Sequence, residues 1–170
     1  SNIILGKKWG GNFSGYLATF MVLVSFIIST KFFIEINTGG APIIVSLFKW
    51  IELSNFSIGM DFYLDQLSLL WLLFVTGIGF LIHMYSISYM HNDENENKYF
   101  AYLNLFIFFM LVLVLAKNLL VMFIGWEGVG LCSYLLIGFW FKNQSFNNAA
   151  KKAFIMNRVG DLGFLVGIFI

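Results

Sequence analysis

Charge is scarce in this chain, and so are proline, cysteine and histidine. Asp, Glu, Lys and Arg make up 11% of its 170 residues and nearly cancel, leaving a formal net charge of +1. That balance removes the polyelectrolyte attraction on which nucleic-acid binding depends, so no nucleic-acid partner is expected. The lone cysteine, Cys132, excludes an intrachain disulfide. One Cys and two His are too few for an iron–sulfur cluster or a structural zinc site, so neither a metal site nor electron carriage is expected. The single proline, Pro42, stands beside Gly39-Gly40 and breaks helix there.

Apolar side chains are what the chain has instead. It is 59% hydrophobic and 19% aromatic, with 21 Phe. No folded shape of this length could hide that surface from water, which excludes a soluble domain and leaves the lipid bilayer as solvent. The chain opens at Ser1 with a short apolar scrap, Asn2-Ile3-Ile4-Leu5, and stops at Ile170 inside an apolar run. Residues 1–170 are therefore expected to form a single membrane domain, the N-terminal part of a larger chain and truncated at both ends.

Five apolar segments have helical length: about Ser14–Ile36, Leu67–Met90, Tyr99–Ala116, Leu119–Phe141 and Ala153–Ile170. Only helices or closed barrels satisfy every backbone group in lipid. The expected fold is all-α, a polytopic transmembrane bundle of about five spanning helices plus a remnant of an earlier one. Asp65 is a good N-cap for the second segment. Between the first two, Phe48–Glu52 and Phe56–Asp61 partly alternate around Ser54-Asn55, which predicts a small surface β-hairpin around 48–61. The run from His91 to Lys98 is expected as a solvated loop and Lys117-Asn118 as a tight turn. Lys7, Lys8, Lys98, Lys142, Lys151 and Lys152 fall on one side and Lys31, Lys49 and Lys117 on the other. The positive-inside rule puts the first group inside and the hairpin outside.

Within the 23-residue run Leu119–Phe141 one residue is charged, Glu127. As a helix the run spans roughly 34 Å against a hydrocarbon core of about 30 Å, with Glu127 about 4–5 Å from its midpoint. A carboxylate at that depth costs on the order of 2.5–3.5 kcal/mol on insertion scales, so a role in proton or ion handling is the default expectation. On a helical wheel Gly125, Gly128 and Cys132 make a seam where another helix can approach. Glu127, Gly130 and Tyr134 share the roughly opposite side. A carboxyl group held between burial and a nearby cation can load and release a proton. A permanently hydrogen-bonded glutamate that joins helices is the structural alternative.

The fifth segment repeats the layout. Gly160, Gly163 and Gly167 have the spacing of the glycine seam, while Arg158 and Asp161 lie on the other side one turn apart, close enough to pair. Lys151 extends that stripe toward the surface. The pair either tunes charge beside Glu127 or only orients its helix. His83 shares a polar stripe with Thr76, Gly79 and Ser86, and its imidazole is a candidate proton relay or a satisfied hydrogen-bonding residue. Asp61, Asp65 and Glu52 are explained by capping and solvation.

Leu67–Tyr89, Tyr99–Phe106, Phe123–Phe139 and Arg158-Val159-Gly160-Asp161 closely resemble the largest antiporter-like subunit of respiratory complex I, the proton-pumping NADH:quinone oxidoreductase. The resemblance covers about Phe62 to Ile170 and is most specific around Trp126-Glu127-Gly128. The large subunit of multi-subunit cation/proton antiporters shares a similar Trp-Glu element, though Gly128–Ser133 and His83-Met84-Tyr85 look closer to complex I.

The resemblance implies a membrane-arm subunit in the mitochondrial inner membrane or a bacterial plasma membrane. Glu127 would be the intramembrane glutamate that pairs with a lysine beyond Ile170, with Arg158 and Asp161 as charged positions near it. It also implies partners: the other membrane-arm subunits, the adjacent antiporter-like subunit and the remainder of its own subunit. NADH, FMN, iron–sulfur clusters and quinone would belong to partner subunits, with no cofactor bound by this chain. The expected function is proton translocation coupled to NADH oxidation, with Glu127, Arg158, Asp161 and His83 as its residues. A sodium/proton antiporter subunit and a purely structural assembly subunit are the alternatives.

Overall fold

In a computed structural model the described residues are 11–53, 56–91, 93 and 95–170, and among them five helices and one hairpin follow in the order α1 Gly11–Asn37, β1 Ile43–Leu53, β2 Phe56–Leu64, α2 Gln66–Tyr89, α3 Glu96–Leu115, α4 Leu119–Ile137 and α5 Gln144–Phe169. The expected remnant at Asn2–Leu5 and the turn at Ser54-Asn55 lie outside the described residues. The helical bundle is as expected. Four helices are long and apolar enough to cross a membrane; α5, which carries Lys151, Lys152, Arg158 and Asp161, is not among them.

Local chemistry sets the ends. The Asp65 carboxylate accepts the Ser68 N–H at 2.7 Å while the Ser68 hydroxyl accepts the Asp65 N–H at 2.9 Å, a reciprocal cap that starts α2. Asn118 caps α4 by accepting from Val121 N at 2.9 Å, and Asn143 caps α5 through Ser145 N at 3.0 Å. Beyond Asn37 the chain turns through Gly39 at φ 111°, a left-handed conformation that L side chains resist.

Three boundaries differ from expectation. The hairpin is longer than 48–61, running from Ile43 paired with Leu64 to Leu53 paired with Phe56. The β-branched run Ile43-Ile44-Val45 opposite Phe62-Tyr63 extends it, although those residues do not alternate in polarity. Helix α5 begins nine residues before Ala153, because apolarity marks membrane depth whereas Asn143 marks the helix start. The solvated loop ends at Asn95, and Glu96 is buried at 4% exposure in the first turn of α3.

Helices α1 and α2 pack side by side, as do α3 and α4, and α5 lies along α4. A core of Ile36, Leu69 and Leu72, flanked by Phe32, Phe33, Ile43, Leu64, Leu111 and Leu115, joins three helices to the hairpin. The hairpin is also tied to the α3–α4 turn. Asn118 Nδ2 donates to the Gly59 carbonyl at 2.9 Å, Lys117 N–H donates to the Asp61 carbonyl at 3.1 Å, and Phe62 bridges Ala116. At the opposite end Trp140 donates to Asp93 at 3.0 Å, joining the α4–α5 connection to the α2–α3 loop. Lys49 and Lys117 thus share one end with the hairpin, and Lys98 and Lys142 stand at the other, as the alternation of segments requires.

Candidate functional site

Gly125, Gly128 and Cys132 form the buried face of α4, and it is α3 that lies on it. A Cβ at Gly125 would stand 2.6 Å from the Leu113 backbone nitrogen, and one at Gly128 would run into the Phe109 ring. That close approach fixes the rotation of α4 and turns Glu127 to the other side, toward α5. The matching row on α5 behaves differently. Nothing lies within 4 Å of a Cβ built at Gly160, Gly163 or Gly167, so it packs against no other described residue.

Three of the four site residues meet between α4 and α5. Arg158 forms an ion pair with Glu127 through Nη1, and the same nitrogen lies 3.4 Å from Asp161 Oδ2. One guanidinium is shared by two carboxylates from two helices. Asp161 is buried, Glu127 is 23% exposed at its side chain and Arg158 44%. The cluster is therefore walled by protein on the Asp161 side and open on the Arg158 side. Gly130 and Tyr134 extend it along α4 as the wheel indicates: the Tyr134 ring lies 5.2 Å from that of Phe154, and Arg158 sits 4.6 Å over the same Phe154 ring.

His83 is not part of that cluster. It is fully buried between α2 and α3, its Nδ1 donating to the Gly79 carbonyl at 2.7 Å and its Nε2 3.1 Å from Asn104 Oδ1. Ser86, one turn along, is 3.4 Å from the Tyr99 hydroxyl. The polar stripe expected on α2 is thus a buried seam against α3, and α3 intervenes between it and α4.

Sequence reasoning gave no site role to Asn104 or Phe154, and named Trp126 only as part of the family element. Trp126 reads as a lipid-facing aromatic and is 49% exposed, yet its indole N–H donates to Asp161 Oδ1 at 2.8 Å. Asn104 left a usable signal, as an amide isolated in the apolar run Tyr99–Phe106. Among the described residues, no group of three His, Cys, Asp or Glu side chains is arranged to hold a metal.

Comparison with known proteins gives this geometry a family. The model for the N-terminus of chain 5 of NADH-ubiquinone oxidoreductase (complex I) matches residues 50–100. The model for the transmembrane region of NADH:quinone oxidoreductase/Mrp antiporter matches residues 116–170, which include Glu127, Arg158 and Asp161. NADH-ubiquinone oxidoreductase chain 5 of Podospora anserina is 42% identical over 97% of this chain and 25% of its own length. NADH-quinone oxidoreductase subunit L of Rickettsia typhi is 45% identical over 89% of this chain and 23% of its own. The chain thus spans about a quarter of the length of the curated relatives it matches. A chain in the structure of the Mrp complex from Dietzia sp. DQ12-45-1b superimposes over 97% of this chain and 17% of itself, with a TM-score of 0.77 at 23% identity; the two share a fold. Similar along nearly its whole length to these proteins, the chain belongs to the antiporter-like membrane-subunit family typified by complex I chain 5 and subunit L.

Proposed function

We propose that this chain is the N-terminal part of a proton-translocating membrane subunit of NADH:quinone oxidoreductase, with residues 1–170 belonging to one membrane domain. The observation that carries the proposal is the guanidinium of Arg158 held between Glu127 and Asp161 at the depth of an apolar helix. Ionisable groups at such depth are expensive and are retained where charge must move. Glu127 is the switching carboxylate, and Arg158 and Asp161 set its charge. His83, satisfied by Asn104 and Gly79, stands apart from that switch as a separate candidate relay. Names of the relatives support NADH and quinone as the redox partners of the whole enzyme. The single Cys and two His favour placing FMN and iron–sulfur clusters in partner subunits. Its partners would be the other membrane-arm subunits, including an adjacent antiporter-like one, together with the surrounding bilayer. Its home would be an energy-transducing membrane, the mitochondrial inner membrane or a bacterial plasma membrane.

Replacing Glu127 by Gln in the assembled enzyme tests this. Reconstituted in sealed vesicles, the variant should oxidise NADH with proton pumping reduced at least tenfold; pumping at the wild-type ratio would end the proposal. A second reading, sodium/proton exchange without redox partners, is favoured by the fold shared with the Mrp chain. It predicts sodium-dependent proton flux in vesicles without NADH.

A further inference from the structure

The cluster between α4 and α5 has an aromatic wall at each end. Toward the C-terminus of α5, Trp126 stacks on Phe164 with ring centroids 6.0 Å apart and donates its indole N–H to Asp161 Oδ1 at 2.8 Å. Toward Lys151, the guanidinium of Arg158 lies 4.6 Å from the centroid of the Phe154 ring, inside the roughly 6 Å over which a ring face attracts a cation. Phe154 precedes Arg158 by four residues, so the two stand one turn apart on a single face of α5. The ring is itself backed by Tyr134 of α4, at 5.2 Å between centroids. Tyr134 stands two turns from Glu127 on the same side of its helix. Helix α4 thus supplies both a carboxylate and the support beneath the ring.

The three charged groups are held differently. Asp161 is buried and anchored by Trp126. Arg158 meets both carboxylates through Nη1, and among the described residues no further hydrogen bond holds it or Glu127. Pairing at one nitrogen fixes a point and leaves the planar group free to swing about it. The Arg158 side chain is 44% exposed. A long basic stem can snorkel toward the surface that Lys151 marks, seven residues and roughly 10 Å along the axis.

We propose that Phe154 is a positioning residue: its ring face keeps the Arg158 guanidinium beside Glu127 while that carboxylate is neutral, and Tyr134 holds the ring in place. This rests on the switching role given to Glu127 above. When Glu127 is charged, the ion pair holds the cation by itself. When Glu127 is neutral that attraction is gone. Asp161, at 3.4 Å and bonded to Trp126 through its other oxygen, is a looser hold. The pull of a ring face comes from its quadrupole, which does not change with the charge of Glu127. Phe154 therefore keeps Arg158 in reach for the pair to form again. An aliphatic side chain could fill the same space and would offer no such hold.

Fluorines on the Phe154 ring test this in the whole membrane-embedded enzyme, because each withdraws electron density from the face and barely changes the shape. A single ring fluorine at position 154 gives a ¹⁹F resonance that should move in Arg158→Gln and stay near its wild-type place in Arg158→Lys, which keeps a cation. A resonance unmoved in Arg158→Gln, or moved equally in both variants, would overturn the contact. With one, two and three fluorines, proton pumping per NADH in sealed vesicles should fall in steps, to about a third of wild type or less. Pumping indifferent to the fluorines would overturn the positioning role. Glu127→Gln separates this from the proposed function: wild-type pumping there ends that function, and the ¹⁹F comparison, which involves no pumping, still judges the contact.

Discussion

Asn104 is the partner that α3 offers to His83, with Oδ1 3.1 Å from Nε2 in the buried seam between α2 and α3. Because Nδ1 must donate to the Gly79 carbonyl, Asn104 completes the hydrogen bonding of the ring. Replacing Asn104 by Leu leaves Nε2 buried without a partner and should destabilise the assembled subunit by about 1–3 kcal/mol. Adding His83→Phe removes the orphan group, so the double variant should melt above Asn104→Leu alone. A thermal melt of the three variants in detergent checks the sign, and strict additivity would contradict the pairing.

The glycine rows on α4 and α5 have the same spacing and should respond oppositely. Ala at Gly125 meets the backbone of Leu113 and has no side chain to displace, so about 1–3 kcal/mol of strain is expected. Ala at Gly160 meets open space and gains up to about 1 kcal/mol of helix propensity. The yield and melting temperature of the assembled enzyme should fall for Gly125→Ala and hold for Gly160→Ala.

Acid should loosen the start of α2. The backbone N–H of Ser68 holds the Asp65 carboxyl below its ordinary value of 3.8, against a smaller opposing effect of burial. A depressed folded value means the stabilisation is fully present above the unfolded value and is lost as pH falls through the folded one. Asp65→Asn keeps a capping acceptor, so stability should lose its acid-dependent component and change little near neutrality. Asp65→Ala should cost about 1 kcal/mol throughout. Melting temperature followed from neutral pH down to strong acid separates the two.

Asn118 does two jobs that two substitutions can divide. Asn118→Asp keeps the oxygen that caps α4 but loses the donor to Gly59. Hydrogen exchange in β2 should then speed up while the first turn of α4 stays protected. Asn118→Ala should release both and cost about 0.5–2 kcal/mol.

Helical content was legible because apolar runs of membrane length have few folds open to them, and the wheel of α4 correctly set Glu127 opposite Gly125 and Gly128. The pairing of Arg158 with Asp161 followed from their spacing along one helix. Which helix faced which was not legible from periodicity alone: α2 to α4 are apolar over most of their surface, so no strong amphipathic stripe points inward. That is why the relay reading of His83 carried no position relative to Glu127, from which α3 separates it. Trp126 was given no site role because its ring is half exposed and sequence alone does not show that its nitrogen reaches Asp161. The early starts of α3 and α5 escaped because their first turns are polar, and cap chemistry rather than hydropathy sets them.

The hairpin's ties to Gly59, Asp61 and Phe62 carry a mechanical consequence. Covalent links bind β1 to α1 and β2 to α2, so this strap yokes both to the hinge joining α3 with α4. At that end four helices behave as one plate. At the other end the joining contacts are between side chains, Trp140 with Asp93 and Tyr89, and Phe139 with Tyr99, so displacement near Glu127 should grow with distance from the strap.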